Sequence, residues 1–143
     1  MAPNLATRAT TKSLLDVHSW NRQETAEAVS SGVPFGLLER FQNDSGLPWP
    51  AIGRVLRLPE RTLARRRKAG RLASPESDRL VRLAQLYQQA VELWDGNAAS
   101  AAAWFQGSCR ALGGRTPLET AETEVGAAEV EQLLGRLAHG VFS

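Results

Sequence analysis

The chain has 143 residues, 43% apolar and 22% charged, which suits one medium globular domain or a tight pair of small ones. Seventeen Lys and Arg against fifteen Asp and Glu leave a net charge of only +2, so the protein is not polybasic in the histone manner. No window approaches the run of about 18 apolar residues that spans a membrane. The segment from Met1 to Arg8 lacks the charged-then-apolar layout of a signal peptide, so a cytoplasmic location is expected. One cysteine, Cys109, excludes an internal disulfide. With only His18 and His139 beside it, no metal site and no cofactor are expected.

Residues 1–13 are polar and small and are expected to form a mobile leader. From Leu14 onward, helical segments alternate with short breakers, and no stretch alternates with the period of a strand. A first helix is placed near Thr25–Ser30 and a second from Pro34 to about Asn43, with Leu37, Leu38 and Phe41 on one stripe. Pro48 opens a third, to about Arg57, on which Ile52, Val55 and Leu56 recur. Leu58-Pro59 then forces a turn. A fourth runs from Glu60 to about Ala69, with Gly70 as its C-cap. Ser74-Pro75-Glu76 signals a cap, a first-turn proline and a dipole-facing acid. The helix it opens, to about Trp94, carries Leu80, Leu83, Ala84, Tyr87, Val91 and Trp94 at helical spacing. Asp95-Gly96-Asn97 stops it. Ala98–Cys109 is a good helix former, and Thr116-Pro117-Leu118-Glu119 reads as a capping box. A last helix spans about Ala127–Ala138, with Gly135 left either as a close contact or as a tolerated defect. The fold class is all-α, divided as a helical region at 14–96 and a C-terminal piece at 97–143.

The near-zero total charge conceals an asymmetry. From Arg54 to Arg82 the chain holds ten basic and three acidic residues, a local charge of +7, and the remainder sums to −5. This basic stretch lies on a helix, a short turn, a second helix and a long supporting helix, which is the layout of a helix-turn-helix reader of DNA. Leu63 would face Ile52 and Leu56, leaving Arg61, Arg65 and Lys68 on the opposite side. Arg61, Thr62, Arg65 and Arg66 are the candidates for base edges and adjacent phosphates, since Arg can grip guanine with two bonds. Arg57, Arg67, Lys68 and Arg71 are the candidates for phosphates, which position the protein without specifying sequence. One such unit offers little area, so a homodimer on a palindromic operator is expected. The pattern departs from the common one at Arg57, where a turn Gly is usual, at Pro59, where a polar cap is usual, and at Arg66, where an apolar residue is usual.

Residues 97–143 number only 47, marginal for independent folding, yet they hold Trp104, Phe105 and an apolar end. Such a piece completes its core against another domain, a second copy or a partner. The ending His139-Gly140-Val141-Phe142-Ser143 suggests a docked tail, with packing on its own helix as the plain alternative. The stretch Ala111-Leu112-Gly113-Gly114-Arg115-Thr116-Pro117-Leu118, then Glu129-Val130 and Leu133-Leu134-Gly135-Arg136-Leu137, then His139-Gly140-Val141-Phe142, resembles the Xre/MbcA/ParS antitoxin family. Leu58 to Arg66 is similar to that family's helix-turn-helix stretch. The resemblance implies a type II antitoxin whose C-terminal domain covers the active site of a RES-domain toxin that consumes NAD or transfers ADP-ribose from it. It also implies a complex that represses its own operon. By motif position, Arg115, Thr116, Pro117, Glu129, Leu133, Leu134, His139, Gly140, Val141 and Phe142 form the implied toxin-contact region. A stand-alone regulator, with a C-terminal piece that dimerises or binds an effector, fits the basic stretch equally well. An enzyme is not expected: Cys109 and His139 are its only nucleophile and base candidates, and no phosphate loop or nucleophile elbow is present.

Overall fold

A computed structural model describes residues 13–140 of the chain. Most of the leader expected over 1–13 therefore lies outside the described residues, as do Val141 and Phe142. Ser13 is described, and its hydroxyl accepts from Leu15 N at 3.1 Å, capping a 3-10 turn over Leu14–Ser19. Eight α-helices follow: α1 Arg22–Ser31, α2 Phe35–Ser45, α3 Trp49–Leu56, α4 Glu60–Ala69, α5 Ser74–Leu93, α6 Ala98–Gln106, α7 Pro117–Thr120 and α8 Glu124–Ala138. A second 3-10 turn, Arg110–Leu112, joins α6 to α7. No strand occurs among the described residues, as an all-α fold requires.

Local chemistry explains most of the boundaries. Asn21 and Glu24 form a reciprocal capping box that starts α1 three residues before the expected Thr25. Helix α2 stops at Gly46 and α4 at Gly70, both left-handed at φ 72° and 83°, a conformation glycine adopts without strain. Helix α5 departs from expectation at its start. Its N-cap is Ala73, and Ser74 already lies inside the helix. The Ala73 N–H donates instead to the Glu76 carboxylate at 2.8 Å, so Glu76 supplies the cap from three residues ahead. The Thr116 hydroxyl does cap α7, accepting from Glu119 N at 3.0 Å. Helix α8 begins before the expected Ala127 because Thr123 accepts from Gly126 N at 2.9 Å. A Cβ at Gly126 would fall on the Thr120 carbonyl, so only glycine lets α7 and α8 meet there. Gly135, by contrast, faces open space, which removes a close contact as its explanation.

Helix α5 is the axis of the molecule. Leu80, Val81, Leu83, Ala84, Leu86, Tyr87 and Ala90 are all buried along it. The 3-10 turn, α1, α3, α6 and α8 pack around it. Leu14, Val17 and Trp20 seal one end, an element the sequence reading did not place. Tyr87 joins the two halves of the chain. Its ring meets Phe41 edge-on at 5.7 Å and lies over Phe105 at 6.1 Å. The segment after Asn97 thus completes its core against α5. Phe105, Leu118, Val130 and Leu134 belong to the same buried cluster as Leu38, Ile52 and Leu80.

Candidate functional site

Helices α3 and α4 form the compact pair expected from the basic stretch. Ala51, Ile52, Val55 and Leu56 bury the inner side of α3, and Leu58 in the turn is buried behind them. The turn is tight because Arg57 adopts a left-handed conformation, φ 57° and ψ 46°. Its N–H bonds back to Arg54 O, and Leu58 N reaches Gly53 O at 2.8 Å. Arg57 thus occupies, at a cost in strain, the conformation that a glycine takes freely. Pro59 caps α4 without a side-chain bond, while Glu60 places an acid at the positive end of the helix.

No residue of α4 is buried. Arg61, Arg65 and Lys68, at i, i+4 and i+7, are exposed, and no ion pair occupies them among the described residues. Arg57 is exposed beside them, and Thr62 is half-buried. Arg57, Arg61, Arg65 and Lys68 are thus exposed toward a polyanion with no partner taking up their charge among the described residues. Three of the predicted contacts are instead engaged within the protein. The Arg66 guanidinium grips Glu76 through two bonds, Nε to Oε1 at 2.8 Å and Nη2 to Oε2 at 3.0 Å. Arg67 lies 5.1 Å from the Phe35 ring and 5.8 Å from the Trp49 ring, and pairs with Glu39 at 3.8 Å. Arg71 donates to the carbonyls of Ser31 and Gly32. Sequence reading missed Glu76, Glu39, Phe35 and Trp49 as partners, because sequence separations of 10 to 32 residues follow no helical spacing.

The Glu76 carboxyl feels opposed influences. Burial pushes its pKa up, while the Arg66 fork and the Ala73 N–H pull it down, and the balance lies below the ordinary value. Burial, with Asp44 nearby, raises the Tyr87 hydroxyl, whose oxygen is buried among core side chains.

The second group of predicted contacts lies on α7, α8 and the turn before them. Arg115 is exposed, donates through Nε to Leu112 O at 3.3 Å and approaches Glu129 at 4.0 Å. Glu129 and His139 are exposed, and Gly140 is left-handed at φ 72°. Thr116 is the α7 cap and Pro117 is buried in its first turn, as the capping signal implies. Leu133 and Leu134 are buried at 4% and 1%, so they build the core rather than present a surface. Val125 is the large apolar side chain that this region does expose, at 74%. The α3–α4 pair meets the C-terminal helices where Arg54 at the end of α3 approaches Glu122 before α8, at 3.4 Å. Cys109 is half-buried ahead of the second 3-10 turn. No helix among the described residues is long and apolar enough to cross a membrane.

Two families match in tandem. Residues 24–85 match the Antitoxin Xre-like helix-turn-helix domain, which takes in α1 to α4 and the first half of α5. Residues 89–140 match the Antitoxin Xre/MbcA/ParS C-terminal toxin-binding domain, which begins near the end of α5. The curated relatives include the protein named Antitoxin Xre of Yersinia enterocolitica serotype O:8 / biotype 1B, 36% identical over 118 residues, covering 82% of this chain and 80% of the relative. Antitoxin Xre of Photorhabdus laumondii subsp. laumondii is 33% identical over 116 residues, covering 80% and 78%. With its basic α3–α4 pair in one matched region and α6 to α8 in the other, the chain belongs to the Xre antitoxin family.

Proposed function

We propose that this protein is the antitoxin of a type II toxin–antitoxin pair, in which α4 binds promoter DNA of its own operon and represses it. The segment 97–143 binds a RES-domain toxin that consumes NAD and covers that enzyme's active site. Two copies bind a palindromic operator, in the cytoplasm. The protein acts by binding and carries no catalytic machinery of its own.

The observation that carries the DNA reading is the exposed row Arg61, Arg65 and Lys68 on α4, with Arg57 at the turn. Such a row can place guanidinium groups at guanine edges and phosphates of a major groove. Support for the toxin reading comes from the match of 89–140 to a toxin-binding family. Arg115, Glu129, His139 and Gly140 are the surface contacts, with Thr116 and Pro117 holding α7 in place and Val141 and Phe142 continuing the chain. Neutralisation then needs only surface complementarity, with no group exchanged between the proteins.

The test separates the two activities. Arg61→Ala with Arg65→Ala should abolish the shift of a promoter fragment while cells expressing the adjacent toxin gene remain protected. Loss of protection in a variant whose circular dichroism is unchanged would overturn the division of labour. Failure of the wild-type protein to co-purify with the product of the adjacent gene would overturn the antitoxin reading.

A further inference from the structure

Helix α4 is attached to the body in an unusual way for an α-helix of a globular domain, whose inner stripe is ordinarily apolar. Its half-buried positions are Thr62, Leu63 and Arg66, and Leu63 is the one aliphatic residue among them. Alongside Leu63, an open groove of about 590 Å³, lined by Trp49, Gly53, Arg57, Leu58 and Pro59, separates α3 from α4. Apolar burial therefore contributes little to fixing the angle of α4.

Polar links take its place. Arg66 is held at 24% side-chain exposure and Glu76 at 10%, joined by two short parallel bonds. A fork of this kind fixes orientation as well as distance, because both planar groups must be coplanar and aligned. Glu76 is itself pinned by the Ala73 N–H at the head of α5. At the next residue, Arg67 is seated on the rings of Phe35 and Trp49, which are parallel within 5° at 6.4 Å. At the C-cap, Phe35 N donates to Gly70 O at 2.9 Å.

We propose that Arg66, through its fork with Glu76, is a positioning residue that aims the Arg61, Arg65 and Lys68 face of α4 at DNA and is not itself a phosphate contact, with the seat of Arg67 on Phe35 and Trp49 as a second anchor. This rests on the DNA reading above. It assigns the basic residues of α4 to two jobs, outward for the polyanion and inward for the fold.

The test turns on a sign. Glu76→Gln removes a negative charge from the DNA-binding half while keeping an oxygen for the Ala73 N–H. Simple electrostatics demands tighter DNA binding. Positioning demands weaker binding, by about tenfold for the loss of a charge-assisted fork. Binding is measured by gel shift on a duplex taken from upstream of the protein's own gene, over a salt series. Arg66→Ala should weaken binding without changing the slope of log K against log salt. Arg61→Ala should lower that slope by about 0.9, as each lost phosphate contact does. Arg66→Lys keeps the charge but not the fork. It should behave like Glu76→Gln, and it replaces that variant if Glu76→Gln fails to fold.

A second arm needs no DNA. Hydrogen exchange at residues 60–69 of the free protein should quicken in Glu76→Gln, with exchange along α5 little changed. Equal or tighter DNA binding by Glu76→Gln, a reduced slope for Arg66→Ala, or unchanged exchange in α4 would each overturn the positioning role while leaving the DNA reading intact. A wild-type protein that leaves the duplex unshifted would overturn the DNA reading itself, and with it the aim assigned to α4.

Discussion

Helices α4 and α8 each carry a predicted binding surface, and they are secured by opposite means. Helix α8 buries Val130, Leu133 and Leu134 against α5, with none more than 4% exposed. Helix α4 buries no residue and is held by Arg66, Arg67 and a backbone bond at Gly70. The contrast teaches where damage spreads. A lesion in α8 reaches the whole core, because that core is one cluster from Leu14 to Leu134. A lesion in α4 stays local, because few apolar contacts depend on it.

The largest effect should come from Leu134→Ala. Removing a buried leucine costs about 3 kcal/mol, a large part of a small domain's stability. Because Tyr87 links both halves, chemical unfolding followed by circular dichroism and by tryptophan fluorescence should show one shared, weakened transition. Two separate transitions would break the comparison, by showing that the halves fold independently.

Acid should loosen α4 through Glu76. The Glu76 carboxyl titrates below its ordinary value, so it stabilises the fold fully above the unfolded carboxyl range. That contribution is lost as pH falls through the depressed folded value. Wild-type and Glu76→Gln proteins should therefore converge in urea midpoint on acidification and diverge toward neutrality. A constant difference across the series would deny the fork any charge-dependent part.

A smaller effect, and an opposite one, is expected at the turn before α4. Arg57→Gly should relieve the left-handed strain at φ 57°, raising stability by about 1 kcal/mol in urea unfolding. The same change removes a candidate phosphate contact, so DNA affinity should fall as stability rises. Smallest of all, Gly135→Ala meets open space on α8 and should stabilise by about 0.5–1 kcal/mol through helix propensity. A loss of stability there would reveal packing that open space does not allow for.

Much of the chain could be read in advance because local rules decide it. Prolines, glycines and helical spacing placed α2 to α5 to within about two residues, since those signals act on the backbone itself. Charge counting found the basic face for the same reason, as it needs only composition and order. Other features depended on distant groups. The turn at Leu14–Ser19 exists because Leu14, Val17 and Trp20 find α5, not because the segment has strong helical signals. Leu133 and Leu134 sit in a motif that suggests a contact surface, yet burial assigns them to the core.

The sequence alone determined that this is an all-helical protein with +7 of charge gathered on residues 54–82 and a small apolar C-terminal piece. Periodicity, capping and charge are properties of neighbours in the chain, and they survive without a fold. The tertiary structure decided which of the clustered arginines look outward. Arg61 and Arg65 face solvent, Arg66 turns inward to Glu76, and Arg67 lies over Phe35 and Trp49 with its side chain still 51% exposed. A guanidinium reaches several ångströms from its backbone, so its role is set by whichever acid or ring the fold brings within range.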